Sequence, residues 1–264
     1  MLVQRKKWPC VLLLATLASG LTTAVSAREN VSPATFAATN SLHLKTMITE
    51  AISAFENTER NSWSHYIDRY ENEEGDISSS TEHYDAGQPA GQRWTLLTLN
   101  GKQPSDKAQR KYQQKRQKQR EKNSENQEQS FSISLQELIQ TATLTLNSED
   151  THFVYANFKV SLPRIGEDAS KHLTGLLSYN KQHQFIESIE ISNTAPFSPM
   201  FSAEITELTI QFNFQKIDSA VLPLSNQMTM KGSWAFFTEI NEVSKDTYRD
   251  FNRISDTEQN PQAK

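Results

Sequence analysis

The chain has 264 residues, a formal net charge of −4 and one cysteine, Cys10. That length suits one large or two small domains, and a lone thiol excludes a disulfide-stapled scaffold. The mild acidity argues against a general nucleic-acid binder, so no nucleic acid is expected as a partner.

Arg5, Lys6 and Lys7 make a basic start, Val11 to Leu21 an apolar run, and Val25-Ser26-Ala27 supplies small residues at a cleavage position. The pattern predicts a cleavable secretory signal peptide over residues 1–27 and a periplasmic, soluble product. The apolar run is shorter than the ~20 residues of a spanning helix. Cys10 stands before that run, not after it, which argues against a lipid anchor. Cleavage removes the cysteine and three positive side chains, taking the charge to −7 over 237 residues. The mature chain therefore depends on a hydrophobic core rather than on disulfides. Residues 28–40 read as a flexible N-terminal segment and residues 255–264 as a disordered tail.

From Ser41 to Arg60 the apolar residues Leu44, Met47, Ile48, Ala51, Ile52 and Phe55 recur at steps of three and four. This predicts an amphipathic helix with Asn40 or Ser41 as N-cap. Trp63 to Tyr70 and Ile77 to Tyr84 are rich in aromatic and β-branched residues around the turn Glu73-Glu74-Gly75-Asp76, which predicts a β-hairpin. Arg93 to Leu99 predicts a third strand.

The stretch after Gly101 is different in kind. Pro104-Ser105-Asp106 is a helix start, with Ser105 placed to cap and Asp106 at the positive end of the dipole. Lys102, Lys107, Arg110, Lys111, Lys115, Arg116, Lys118, Arg120 and Lys122 are opposed only by Asp106 and Glu121. With Ala108 and Tyr112 as its sole apolar members, the helix offers no face to bury. It is expected to project into water as an inserted element over residues 102–130.

After a short helical turn at Leu135 to Ile139, alternating segments predict six more strands: Ala142–Leu146, Val154–Leu162, Leu173–Tyr179, Phe185–Ile191, Leu208–Phe214 and Met228–Phe236. Tyr248 to Ile254 predicts an edge strand or a short helix. Short turns between strands imply antiparallel neighbours. Such a sheet has to cover its apolar face, so the fold class is read as α+β: a single curled antiparallel β-sheet, a half-barrel covered by the N-terminal amphipathic helix, with an inserted exposed basic helix. Residues 41–254 form one domain on this reading.

Several of these segments carry a family likeness: Ala54-Phe55-Glu56, the strands around Trp63 and Tyr84, Arg93-Trp94-Thr95-Leu96-Leu97, the turn Asn100-Gly101-Lys102 with Pro104, and Tyr248-Arg249-Asp250-Phe251. Together they resemble uncharacterised bacterial periplasmic proteins whose plan is similar to the LolA-like superfamily of lipoprotein carriers and envelope-stress sensors. The resemblance implies an unclosed half-barrel with an apolar hollow that accepts acyl chains. No residue role carries over with it, and the basic insertion departs from the simple carrier plan.

The candidate ligand-binding residues are Val154, Phe158, Leu177, Ile210, Phe212, Met230 and Trp234, which alternate onto one side of their strands. Methionine suits a surface that adapts to variable chains. An ordinary filled core has the same pattern. Lys107, Arg110, Lys111, Lys115, Arg116, Lys118 and Lys122 form a cationic stripe for an anionic membrane surface or an acidic envelope protein. His65 and His83 are placed to face each other across the hairpin. The six histidines form no metal-ligand spacing, and no nucleophile elbow or phosphate loop is present, so neither a cofactor nor an enzymatic activity is expected. The function read from the sequence is a periplasmic binding protein holding acyl chains of a lipid or lipoprotein. The alternative is an envelope protein–protein interaction or sensor module with a filled, ligand-free barrel.

Overall fold

The computed structural model describes residues 33–122, 134–162, 170–200, 202–235 and 238–254. The signal peptide, the polar extension 123–130 and the C-terminal tail lie outside the described residues. Helix α1 spans Pro33–Glu56, and strands β1 (Trp63–Glu73), β2 (Asp76–Tyr84) and β3 (Trp94–Leu99) follow. Next come helix α2 (Asp106–Lys122), the short helix α3 (Leu135–Leu138) and strands β4 (Thr145–Glu149), β5 (Phe153–Lys159), β6 (Leu173–Asn180) and β7 (Phe185–Asn193). Strands β8 (Phe197–Met200), β9 (Ala203–Ile217), β10 (Ala220–Trp234) and β11 (Thr238–Arg253) complete the described elements.

All eleven described strands belong to one antiparallel sheet of order β3-β2-β1-β11-β10-β9-β7-β6-β5-β4, with β8 paired to β9 off this path. The seam between the N-terminal hairpin and the rest is β1 against β11, where Trp63 meets Arg253 and Glu73 meets Glu242. Directly paired residues point to the same face, so register alone maps that face. One cross-strand row reads Phe158, Gly175, Ile191, Ile210, Met228, Ser244, Glu71 and Ser78. The next reads Ala156, Leu177, Ile189, Phe212, Asn226, Asp246, Arg69 and Ser80. Along these two rows the face turns from apolar on β5–β9, through Met228 and Asn226 on β10, to serine and charged side chains on β11, β1 and β2.

Helix α1 lies on the apolar flank of this face. Leu44, Ile48, Ala51, Ile52 and Phe55 are all buried, as their spacing requires, and the Phe55 ring meets Phe214 of β9 edge-on at 5.1 Å between centroids. The helix starts at Pro33, ahead of the predicted cap at Asn40 or Ser41. Ser134 caps α3, accepting from the Glu137 N–H at 3.2 Å, and donates to Glu56 of α1 at 3.0 Å.

The helix-covered half-barrel is not what the chain forms. The sheet is one wide, open surface with β3 and β4 as its edges, and α1 shields only the flank around β4, β7 and β10. The contacts of α1 with the sheet fall on the β10–β4 part of the path, and β11, β1, β2 and β3 extend beyond them. The remainder is handled by a second buried cluster of Ile67, Tyr84, Ala86, Trp94 and Tyr248. The edge strand or short helix expected at Tyr248 to Ile254 is the end of β11, a strand that pairs with β10 up to Thr247 and with β1 as far as Arg253. The predicted strand at Ala142–Leu146 is a 3-10 turn, Thr141–Thr143, followed by the exposed edge strand β4.

Gly175 marks a close approach of two strands. It pairs with Phe158, and a Cβ built there would sit 2.2 Å from the Phe158 ring. The ring fills the space that the missing side chain leaves. Gly175→Ala is therefore expected to cost about 1–3 kcal/mol through forced repacking. Urea denaturation measures it, and an unchanged midpoint would show that the ring moves aside freely.

Candidate functional site

The basic helix is docked, not projecting. Ser105 caps α2 as its sequence predicts, accepting from the Ala108 N–H at 3.3 Å. From there one side of the helix meets the edge strand β3. Gln109 and Gln113 donate their amide N–H groups to the carbonyls of Leu96 and Trp94, at 2.7 and 3.0 Å. Those carbonyls belong to a strand with no neighbour on that side, so the glutamines satisfy an otherwise open sheet edge. Tyr112 donates its hydroxyl to Glu82 at 3.0 Å. The Arg116 guanidinium pairs with the same carboxylate and lies 3.9 Å from the Trp94 ring centroid. The expectation of a helix without a buriable face failed because the contact is made by amides, a phenol and a guanidinium rather than by aliphatic side chains.

Glu82 is the centre of this junction. Buried and placed on β2, it also accepts from Arg69 Nε at 2.9 Å, while Arg69 Nη1 donates to Asp246 at 2.6 Å. Burial pushes the Glu82 carboxyl up, but Arg69 and Arg116 outweigh it and hold the group below the usual carboxylate range. For Asp246 burial prevails over Arg69, and the carboxyl sits above its ordinary value.

Beside this network His65 is enclosed by Tyr84, Trp94, Tyr248 and Phe251, with ring centroids 5.0 to 6.1 Å away. Its Nδ1 lies 2.9 Å from the Trp63 carbonyl oxygen, so Nδ1 carries the proton and donates. Nε2 is then a bare acceptor, buried with no partner among the described residues. Burial, reinforced by the nearby His83 and Arg69 and only partly offset by the Trp63 contact, lowers the pKa to about 4. His65 does not face His83 across the hairpin. Its partner is Tyr84, while His83 pairs with Tyr66 on the opposite face and stacks on it at 4.4 Å.

The predicted ligand-binding residues divide into groups. Val154, Phe158 and Leu177 are buried in the core that includes α1. Ile210, Phe212 and Met230 are half-buried at the border of that core, together with Met228. Trp234, near the end of β10, is 44% exposed. Of the predicted cationic stripe, Lys107, Arg110, Lys111, Lys115 and Lys118 are exposed and pair with no described carboxylate. Arg116 is committed to Glu82 and Trp94. Lys122 is the last residue of α2.

The opposite face carries a shallow depression of about 420 Å³ bordered by Tyr155, Ser178, Ser188, Gln211, Asn213 and Ser225. Its polar groups bond one another, Ser178 to Ser188 at 2.7 Å and Asn213 to Ser225 at 3.0 Å. Among the described residues no three His, Cys, Asp or Glu side chains converge as metal ligands. No described helix is long and apolar enough to cross a membrane.

No known protein family matches the sequence, and no curated protein matches it either. Among solved structures the chain is similar to a DUF1329 family protein from Desulfovibrio piger, over 83% of this chain and 96% of that one. The TM-score is 0.33 and the identity 7%, too low for any inference about fold or function.

Proposed function

We propose that this is a non-enzymatic binding protein that holds an acyl chain of a lipid or lipoprotein against Ile210, Phe212, Met228 and Met230. The observation that carries the reading is the half-buried state of this strip. Its neighbours Ile189, Ile191 and Phe214 on the same face are fully enclosed, whereas these four side chains stay partly open. Two methionines give the strip a surface that adapts to chains of different shape. An acyl chain is also the ligand class implied by the sequence resemblance to lipoprotein carriers. In the same reading the protein acts in the periplasm, and the exposed lysines of α2 meet an anionic membrane surface. Each near-surface cation contributes on the order of 1 kcal/mol there, and a helix fixed by Glu82 and Trp94 presents its cations without further ordering.

The test is uptake of a fluorescent fatty acyl probe, with mass spectrometry of lipid that co-purifies from the native envelope. Binding is expected in the wild type, and Met230→Asp should weaken it at least tenfold. Empty protein from the envelope, together with no probe uptake, would refute the proposal.

A further inference from the structure

We propose that the depression on the face opposite α1 binds a neutral sugar chain. The site shares no residue with the strip of Ile210, Phe212, Met228 and Met230 and stands independently of the acyl-chain reading.

Register maps this face as it maps the other. One row reads Tyr155, Ser178, Ser188, Asn213 and Ser225, from β5 to β10. Neighbouring strands lie ~4.8 Å apart, so the row runs about 19 Å. The next row sets Leu176, Glu190 and Gln211 beside it. Two bulges shape the ground between them. The β6–β7 register slips after the Ser178–Ser188 pair and leaves Glu187 without a cross-strand partner; the β9–β10 register slips after Phe214–Pro223 and leaves Leu224 without one. A bulge bends its strand and re-aims a side chain. Both released side chains border the same depression, and Leu224 stands 42% exposed there.

The floor has hydrogen-bonding capacity to spare. In the Ser178–Ser188 pair, 2.7 Å apart, one hydroxyl hydrogen is used and the other is not. Asn213 Nδ2 donates to the Ser225 hydroxyl oxygen at 3.0 Å. The Asn213 Oδ1, the Ser225 hydroxyl hydrogen and the half-buried Gln211 amide have no partner among the described residues. Hydroxyls and amides both donate and accept, as the hydroxyls of a sugar do. The walls are apolar: Phe153 and Tyr155 at the β5 end, with ring centroids 6.0 Å apart, and Leu224 at the β10 end. A pyranose ring presents hydroxyls at its rim and C–H groups on its faces, and the C–H faces lie against an aromatic ring. The volume of about 420 Å³ falls among pockets for small ligands, roughly 300–1,000 Å³.

Charge narrows the class. Glu187 and Glu190 border the depression, and no described lysine or arginine does. A phosphate or carboxylate ligand is repelled by that lining. A wholly apolar chain would cover serines and amides without pairing them. An uncharged ligand covered with hydroxyls meets both conditions.

The experiment titrates the full chain by calorimetry with maltohexaose, cellohexaose, chitohexaose and, as the anionic counterpart, hexagalacturonate. At least one neutral hexasaccharide is expected to bind with a Kd of about 1 mM or tighter, and hexagalacturonate about tenfold more weakly or worse. Tyr155→Ala and Gln211→Ala should each weaken the neutral sugar about tenfold. Neither side chain is fully buried, so both variants are expected to melt as the wild type does. An excess of the fluorescent acyl probe should leave sugar binding unchanged. No binding of the three neutral sugars, equal binding of hexagalacturonate, full affinity in both variants, or displacement by the acyl probe would each overturn the inference. Uptake of the acyl probe alone decides the other reading.

Discussion

Replacing Glu82 with alanine is expected to destabilise the protein by about 3 kcal/mol and to release helix α2 from the sheet. Removing one member of a buried ion pair costs roughly 3–5 kcal/mol, because the partners are left charged and unpaired. The lower end applies here, since the side chains of Arg116 and Arg69 keep 17% and 27% of their exposure and water screens them in part. The same substitution strips Tyr112 of its acceptor, so most of the helix's anchor to β2 goes at once. Denaturant titration measures the loss. Limited trypsin digestion reports the release, because the lysines and arginines of α2 become cleavable before the sheet unfolds. A loss below 1 kcal/mol with α2 still protected would mean that the glutamine contacts to β3 and the Trp94 stack suffice. The carboxyl is held below its usual range, so its contribution is complete above the unfolded-state pKa of about 4.3 and fades only as the pH falls through the lower, folded-state value.

Between pH 6.5 and pH 4 stability is expected to fall by about 3 kcal/mol on account of His65 alone. The folded-state pKa is about 4 and the unfolded one is about 6.5. Over that window the unfolded chain binds the proton and the native one refuses it, so acid favours unfolding. Above the window the contribution is complete, and below it no more is lost from this group. The physical cause is the aromatic enclosure: a cation formed at Nε2 would be buried with no acceptor. His65→Gln keeps an amide donor available for the Trp63 carbonyl and removes the titration. Urea titrations of both proteins at pH 7 and pH 4 isolate the effect as a difference in slope. Equal slopes would assign the acid sensitivity to the carboxylates instead.

The sequence announced most strands and the amphipathic helix through simple periods. Leu44, Ile48, Ile52 and Phe55 repeat at helical spacing, and Leu208, Ile210, Phe212 and Phe214 alternate, because burial against one face imposes those periods. The extent of α1's cover was not legible, since no period reports how many strands lie side by side or that β1 pairs with β11. The docked face of α2 was hidden for another reason. Gln109, Tyr112, Gln113 and Arg116 do recur at steps of three, one and three, which is the geometry of one helix side. A search for aliphatic stripes passes over glutamines that bond an open strand edge and an arginine that covers a tryptophan. Of the candidate site, the apolar half was visible in Ile210, Phe212 and Met230. The acidic stretch of the same face was not, because Glu71 and Glu73 come near the methionines only once β11 is inserted between β1 and β10.

The seam of β1 with β11 also sets an order in time. Arg69 and Asp246 are 177 positions apart, and among the described strands β11 alone joins the first hairpin to the rest of the sheet. Until β11 is in place, Ile67 and Tyr84 lack Tyr248 to pack against, and the β10 edge stays bare. Contacts this distant in sequence slow folding. The first hairpin and the β10–β4 part of the sheet therefore become a single body only when β11 lies between them.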